Sequence, residues 1–173
     1  MKHIIEIIKA DITQLQVDAI VNAANNSLTG GGGVDRAIHR AAGQELTEYC
    51  RTLKGCKTGS AKITPGFNLP AKYVIHAVGP VWNNGTAGEE GLLYSCYKES
   101  LLLAKENESL SIAFPCISTG AYRFPFDKAC GIALQAIKDF LNDDHSINKI
   151  YLVVFSESDF KQYHKISDRF FES

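Results

Sequence analysis

The sequence has no apolar run long enough to cross a membrane. Its 173 residues contain nothing close to the roughly 20 consecutive apolar residues that a spanning helix requires. Near the N-terminus, Glu6, Lys9 and Asp11 interrupt the stretch in which a signal peptide would have its hydrophobic core. We therefore expect a cytoplasmic protein without a membrane partner.

An excess of charge of either sign is also missing. The chain has 18 Lys and Arg residues against 19 Asp and Glu residues, for a net charge of −1. That balance gives no overall footprint for nonspecific nucleic-acid binding, although net charge does not report a local patch. With 45% hydrophobic and 21% charged residues, the composition is that of an ordinary globular protein and excludes intrinsic disorder. Repeats and linkers are absent too, so we expect one domain over residues 1–173, and a monomer.

Cysteine and histidine do not form a recognisable metal-binding or disulfide pattern. There are five of each, with no CxxC or HxxxH spacing. Such cysteines are typical of buried free thiols in a reducing compartment. We expect no zinc site, no other metal and no cofactor.

Hydrophobic periodicity predicts strands and helices that alternate along the chain. Several strands are continuous apolar runs, which is typical of strands buried on both faces of a sheet. The pattern predicts an α/β protein with a central sheet between layers of helices. The expected strands are 3–9, 18–22, 60–64, 73–78, Ser111–Phe114 and 149–155. The expected helices are 35–42, 44–53, 91–108, 126–142 and a last one capped by Ser158.

The loop over residues 22–35, NAANNSLTGGGGVD, follows a predicted strand and leads into a helix. Ligands bind beyond the carboxyl ends of strands in such sheets. The four glycines from Gly30 to Gly33 allow close backbone approach, and a helix N-terminus offers free N–H groups to an anion. The loop fits neither GxGxxG nor a P-loop, and a flexible surface loop is the alternative. Asp35 is either a helix-terminal carboxylate or a functional one, and His39, four residues on, lies within hydrogen-bonding reach of it.

Two further loops follow predicted strands. Residues 115–125, PCISTGAYRFP, offer the hydroxyl and backbone donors of Ser118, Thr119 and Gly120, with Tyr122 and Phe124 as apolar walls. The alternative for this loop is a rigid turn bounded by prolines. After the first strand, Asp11 either caps a turn or accepts a hydrogen bond from an exocyclic amine.

Five segments resemble the macrodomain family, in particular the MacroD-type O-acetyl-ADP-ribose deacetylases of bacteria. They are ADIT (10–13), VDAIVNAANNSLTGGGGVDRAIHRAAG (17–43), KTGSAKIT (57–64), LPAKYVIHAVGPVW (69–82) and AFPCISTGAYRFP (113–125). VNAAN, GGGGVD and ISTG together, in the order and spacing of the family, are highly specific. The resemblance implies a three-layer α/β/α sandwich with a mixed sheet of about six strands, and ADP-ribose as the ligand.

The resemblance also implies roles for individual residues. Asp35 would be the catalytic carboxylate, and Asn25 would hold the distal ribose beside it. Asp11 would bind the adenine amino group next to the Ile12 backbone, with Phe155 as a further adenine contact. The remaining expected substrate-binding residues, mainly around the diphosphate, are Asn22, Gly32, Gly33, Val34, Ser118, Thr119, Gly120, Ala121 and Tyr122.

The implied reaction is hydrolysis of the acyl ester on the distal ribose, in free O-acetyl-ADP-ribose or in proteins mono-ADP-ribosylated on Asp or Glu. Water would attack either the acyl carbonyl, with Asp35 as base, or the anomeric carbon. The alternative function is a reader module that binds ADP-ribose without cleaving it, and the Asn25–Asp35 pair favours the hydrolase. The chain departs from the family at Ala10, where Gly is frequent, and at Arg123, which we expect to face water.

Overall fold

The fold is built on a single six-stranded sheet, as seen in a computed structural model that describes residues 1–172. The strands are β1 (Ile5–Lys9), β2 (Ala19–Ala23), β3 (Ala61–Pro65), β4 (Tyr73–Ala77), β5 (Ser111–Phe114) and β6 (Lys149–Val154). Their spatial order is β1-β6-β5-β2-β4-β3. All neighbouring pairs are parallel except β3 with β4, so the sheet is mixed.

Helices cover both faces of this sheet. They are α1 (Gly33–Ala42), α2 (Gln44–Thr52), α3 (Glu89–Glu106), α4 (Phe126–Asp143) and α5 (Glu157–Glu172). Helices α3, α4 and α5 pack on one face around a core that includes Tyr97 and Phe114. Helices α1 and α2 pack on the other face around a second core that includes Ile38 and Leu46. The three-layer α/β/α sandwich expected from the sequence is confirmed.

Parallel pairing brings the carboxyl ends of five strands to one edge of the sheet. Strands β1, β6, β5, β2 and β4 all end there, and β6, β5 and β2 are consecutive neighbours. The glycine-rich loop follows β2, and the loop 115–125 follows β5. The topology therefore places the sequence-predicted loops around one crevice.

The predicted elements are all present, with ends that differ by a few residues. Helix α3 begins at Glu89, not 91, because the buried Glu89 carboxylate accepts hydrogen bonds from the backbone of Asn83, Gly85 and Ala87. The expected cap at Ser158 is wrong. Helix α5 begins at Glu157, and the hydroxyl of Ser156 caps it by accepting from the Asp159 N–H. Within residues 1–172, no helix combines the length and apolarity of a membrane span.

Candidate functional site

A crevice of about 610 Å³ lies at the carboxyl edge of the sheet. Such a volume suits a ligand of small-molecule or dinucleotide size. Its walls come from the glycine-rich loop and the start of α1, from the loop 115–125, and from the end of β6. The sequence-predicted residues that line it are Asn25, Gly32, Gly33, Val34, Asp35, Ser118, Thr119, Gly120, Ala121, Tyr122 and Phe155.

The glycine-rich loop uses its glycines for backbone geometry. Gly30 has φ +104° and Gly33 has φ +60°, in the left-handed region that favours glycine. Gly31 allows a close approach, because a Cβ there would lie 3.2 Å from Asp35 Oδ2 and 3.3 Å from Asn25 Nδ2. Helix α1 then starts at Gly33, so the free N–H groups of its first turn lie in the lining of the crevice. This arrangement suits an anion.

The opposite wall is the loop after β5. Ser118 has φ +68°, and its buried Oγ makes no hydrogen bond within residues 1–172. The backbone N–H groups of Gly120 and Ala121 are likewise without a partner in that part of the chain. Gly79 packs under this loop, since a Cβ there would come within 2.2 Å of Ser118 Oγ. Phe124 was expected to be an apolar wall of the crevice, but it is buried against Trp82 instead.

Asp35 lies in the first turn of α1, at the β2 end of the crevice, and is 2% exposed. Its Oδ1 accepts a hydrogen bond of 2.8 Å from Asn22 Nδ2. His39 Nε2 lies 3.3 Å from the same oxygen but is not aligned for a hydrogen bond. Because these neighbours occupy Oδ1, Oδ2 is left on the side of Gly31 and Asn25. A buried carboxylate with one oxygen held and one free is suited to proton transfer.

Asn25 both shapes the loop and faces the crevice. Its Oδ1 accepts from Ser27 Oγ and from the Leu28 backbone N–H, and its Nδ2 donates to the Gly30 carbonyl. One N–H of the amide is left for a ligand.

Asn22, predicted as a substrate-binding residue, is not among the residues that line the crevice. Its side chain is fully buried behind Asp35, with Nδ2 2.8 Å from Asp35 Oδ1 and 3.1 Å from His76 Nδ1. The physical reason is the alternation along β2, which turns Asn22 and Ile20 to the same face, the one that α1 and α2 cover.

Asp11 and Ile12 lie beside the crevice and not in its lining. Asp11 caps a short 3₁₀ turn, Ile12–Gln14, and its Oδ1 accepts from both the backbone and the hydroxyl of Thr13. Oδ2 is left for a ligand, and Asp11 is exposed, so the capping and the binding interpretations are compatible. Phe155 directly follows β6, which pairs with β1, and is 64% exposed.

Several lining residues were missed by sequence reasoning. They are Ala23, Ala24, Gly31, Gly79, Pro115, Cys116, Ile117, Val153, Val154 and Asp159. Most are neighbours of predicted residues, but Asp159 comes from α5, where the resemblance rested on pattern alone. Burial, and then the Asp159 charge, raise the pKa of the Cys116 thiol to about 12, which makes it a poor nucleophile.

The two departures from the family leave the crevice intact. Ala10 is not in the left-handed region and donates its N–H to the Val154 carbonyl, so the absence of glycine causes no strain there. Arg123 is exposed and outside the crevice lining, which agrees with a side chain in water.

Two histidines and a cysteine that share no sequence motif lie close together in three dimensions. His39, Cys50 and His76 place one ligand-type atom each within 4.8 Å of one another. The donor set does not favour a metal ion, because both His76 nitrogens have hydrogen-bond neighbours and burial raises the pKa of the Cys50 thiol to about 11. These residues instead form a buried polar network under Asp35.

Comparison with known proteins agrees with this geometry. The family model of the Macro domain matches residues 21–133. A macro domain-containing protein of Chlorobaculum tepidum is 57% identical over 162 residues, covering 94% of each chain. The human ADP-ribose glycohydrolase MACROD2 is 56% identical over 171 residues, covering 96% of this chain but 40% of its own length. The chain belongs to the macrodomain family.

Solved structures show the same fold. A mutant of the Oceanobacillus iheyensis macrodomain with ADPR superimposes with a TM-score of 0.93 at 43% identity, covering 98% of this chain and 94% of its own. The Trypanosoma brucei macrodomain in complex with ADP-ribose gives a TM-score of 0.89 at 42% identity, covering 95% and 69%.

Proposed function

We propose that this protein binds ADP-ribose in the crevice and hydrolyses the acyl ester on the distal ribose. Its substrates would be O-acetyl-ADP-ribose and proteins mono-ADP-ribosylated on Asp or Glu. The names of two kinds of relative support this: a glycohydrolase acting on ADP-ribose, and macrodomains solved with ADP-ribose.

The observation that carries the proposal is the order of groups across the strand ends. Asp11 and Phe155 follow β1 and β6, the donor-rich loop follows β5, and Asn25 and Asp35 follow β2. An elongated ligand lying across this edge would meet an aromatic ring and a carboxylate first, then backbone N–H groups, then a buried carboxylate. That sequence of environments matches an adenine, a diphosphate and a ribose ester.

Two walls of N–H groups suit the diphosphate. The first turn of α1, with Gly32, Gly33 and Val34, would face one side of it, and Ser118 to Tyr122 would face the other. The exposed backbone N–H groups of Gly120 and Ala121, which have no partner within residues 1–172, support this assignment. Binding at the diphosphate and adenine would then hold the distal ester in place for reaction.

Asp35 would act as general base through Oδ2. In the first of two routes, Oδ2 takes a proton from water as its oxygen attacks the acyl carbon. The C–O bond to ribose then breaks, the ribose oxygen takes up the proton, and a carboxylic acid and an alcohol are released. The second route applies where the ester oxygen is bonded to the anomeric carbon: the activated water attacks that carbon, the bond to the ester oxygen breaks, the acyl carboxylate leaves, and Oδ2 holds the proton taken from water. Neither route uses a metal ion, and we propose a metal-independent reaction.

Calorimetry and turnover test this proposal together. We expect ADP-ribose to bind the folded protein equally well with and without a chelator, and both esters to be hydrolysed in the presence of chelator. Comparison of kcat/KM for the free and the protein-linked ester then identifies the preferred substrate. Binding without hydrolysis of either ester would make the protein a reader module, and a folded sample that gives no heat with ADP-ribose would refute the binding itself.

A further inference from the structure

A chain of buried hydrogen bonds crosses the sheet beneath Asp35. Asn22 on β2 pairs in register with His76 on β4, and His76 is a diagonal neighbour of Thr64 on β3. All three side chains are almost fully buried. The links are Asp35 Oδ1 to Asn22 Nδ2 at 2.8 Å, Asn22 Nδ2 to His76 Nδ1 at 3.1 Å, and His76 Nε2 to Thr64 Oγ1 at 3.0 Å.

The two ends of this chain favour one direction for its hydrogen bonds. At the far end, Thr64 Oγ1 donates to the Pro65 carbonyl at 3.1 Å, and a carbonyl oxygen can only accept. With the single hydroxyl proton directed to that carbonyl, the Thr64 oxygen is the acceptor for His76 Nε2–H. The other neighbour of Nε2 is Cys50 Sγ, at 3.8 Å. His76 Nδ1 is then unprotonated and accepts from the Asn22 amide.

At the near end, the Asp35 carboxylate also only accepts, so the Nδ2 group of Asn22 must face it. Both Asn22 N–H groups are then in use, one for Asp35 and one for His76. The remaining Asn22 atom, Oδ1, is buried and has no partner within residues 1–172. A buried carbonyl without a partner is destabilising, so this orientation of the amide is kept at a cost in stability.

We propose that Thr64 and His76 are positioning residues, which fix the orientation of the Asn22 amide and thereby keep Asp35 Oδ2 directed at the substrate. This inference rests on the proposed hydrolase function. Neither residue lines the crevice, so they act only through Asn22. Burial lowers the pKa of His76 to about 4, which keeps the imidazole neutral and lets Nδ1 accept.

The alternative arrangement explains why the chain matters for catalysis. If His76 carried its proton on Nδ1, that N–H would face the Asn22 NH₂ group, and the amide would have to rotate. Asn22 Oδ1 would then lie against Asp35 Oδ1, and the carboxylate would lose its donor and turn. Nothing at the adenine or diphosphate end of the crevice would change, so the expected loss is in kcat and not in ligand affinity.

The experiment compares three variants by kinetics and by histidine NMR. Thr64→Val keeps the shape of the side chain but removes the acceptor for His76 Nε2–H. We expect kcat to fall about 5- to 20-fold, with ADP-ribose affinity within about twofold of wild type, as for a misplaced catalytic group. Thr64→Ser restores the hydroxyl and should recover most of kcat. Ser100→Ala is the matched control, since it removes an equally buried hydroxyl on α3, where Ser100 donates to Cys96.

Long-range ¹H–¹⁵N correlation spectra report the His76 tautomer independently of activity. We expect Nε2–H in wild type, Thr64→Ser and Ser100→Ala, and a shift toward Nδ1–H in Thr64→Val, with Thr64→Ala as a second variant if the valine protein does not fold. An Nδ1–H tautomer in wild type, or an unchanged kcat in a folded Thr64→Val protein, would overturn the proposal. If neither the wild type nor any variant hydrolyses the ester, the proposed function fails. The His76 tautomer still tests the hydrogen-bond chain in that case.

Discussion

Gly31 offers a sharp test of the geometry at the ester end of the crevice. A Cβ at this position would lie 3.2 Å from Asp35 Oδ2 and 3.3 Å from Asn25 Nδ2, closer than ordinary van der Waals contact. In Gly31→Ala both groups must move by a few tenths of an ångström. Because a displacement of about 1 Å can cost about 100-fold in rate, a shift of 0.3–0.5 Å corresponds to roughly 4- to 10-fold.

We therefore expect Gly31→Ala to lower kcat for the ester by about 4- to 10-fold, with little loss of ADP-ribose affinity. Backbone strain should not contribute to the effect, since Gly31 is not in the left-handed region. Gly91→Ala is the matched control, because Gly91 lies on the exposed side of α3 with open space around its missing Cβ. Steady-state kinetics and thermal melting measure both effects. A Gly31→Ala protein with wild-type kcat would refute the positions assigned to Asp35 Oδ2 and Asn25.

Three further predictions follow from other parts of the molecule. Gly79→Ala should weaken ADP-ribose binding more than Gly91→Ala does, because the alanine Cβ would come within 2.2 Å of Ser118 Oγ and displace the loop 115–125. Calorimetry measures both affinities. Equal affinities would show that the loop does not contact the ligand. Asp11→Ala should weaken binding by roughly 1.5–3 kcal/mol and reduce discrimination against the hypoxanthine analogue, unless Asp11 only caps its turn. Burial chiefly, and then His39, lower the pKa of His76 from 6.5 to about 4. Between these pH values only the unfolded chain binds the proton, so the free energy of unfolding should decrease by about 3 kcal/mol as pH falls through this window. Urea titrations at several pH values measure the free energy of unfolding of wild type and His76→Gln. An equal pH dependence in both proteins would contradict this prediction.

The crevice could be predicted from the sequence because its main parts are contiguous segments that follow strands. The glycines at 30–33 and the loop 115–125 needed only the rule that parallel strands end at one edge. The position of Asp35 after the glycines at the start of a helix left two roles open, a helix-terminal or a functional carboxylate, and only the resemblance to the macrodomain family implied the catalytic one.

The network beneath Asp35 could not be predicted in the same way. It depends on the register that places Asn22 opposite His76, and on the antiparallel pairing that brings Thr64 diagonal to His76. Strand β2 is apolar on both faces, so alternation along it gives no sign of which way Asn22 points. Gly79 and Asp159 were missed for a similar reason, because tertiary packing alone brings them to the crevice.

The most direct test of the proposed chemistry is the Asp35→Asn variant. Asparagine keeps the size of the side chain but cannot act as a base, so kcat for O-acetyl-ADP-ribose should fall on the order of 10²–10⁴-fold while ADP-ribose affinity changes little. A purely structural carboxylate at the start of α1 would instead lower the melting temperature and leave turnover nearly intact. Turnover, calorimetric affinity and melting temperature measured on this one variant decide between the two. A stable Asp35→Asn protein that binds ADP-ribose and hydrolyses the ester at the wild-type rate would contradict the role assigned to Asp35.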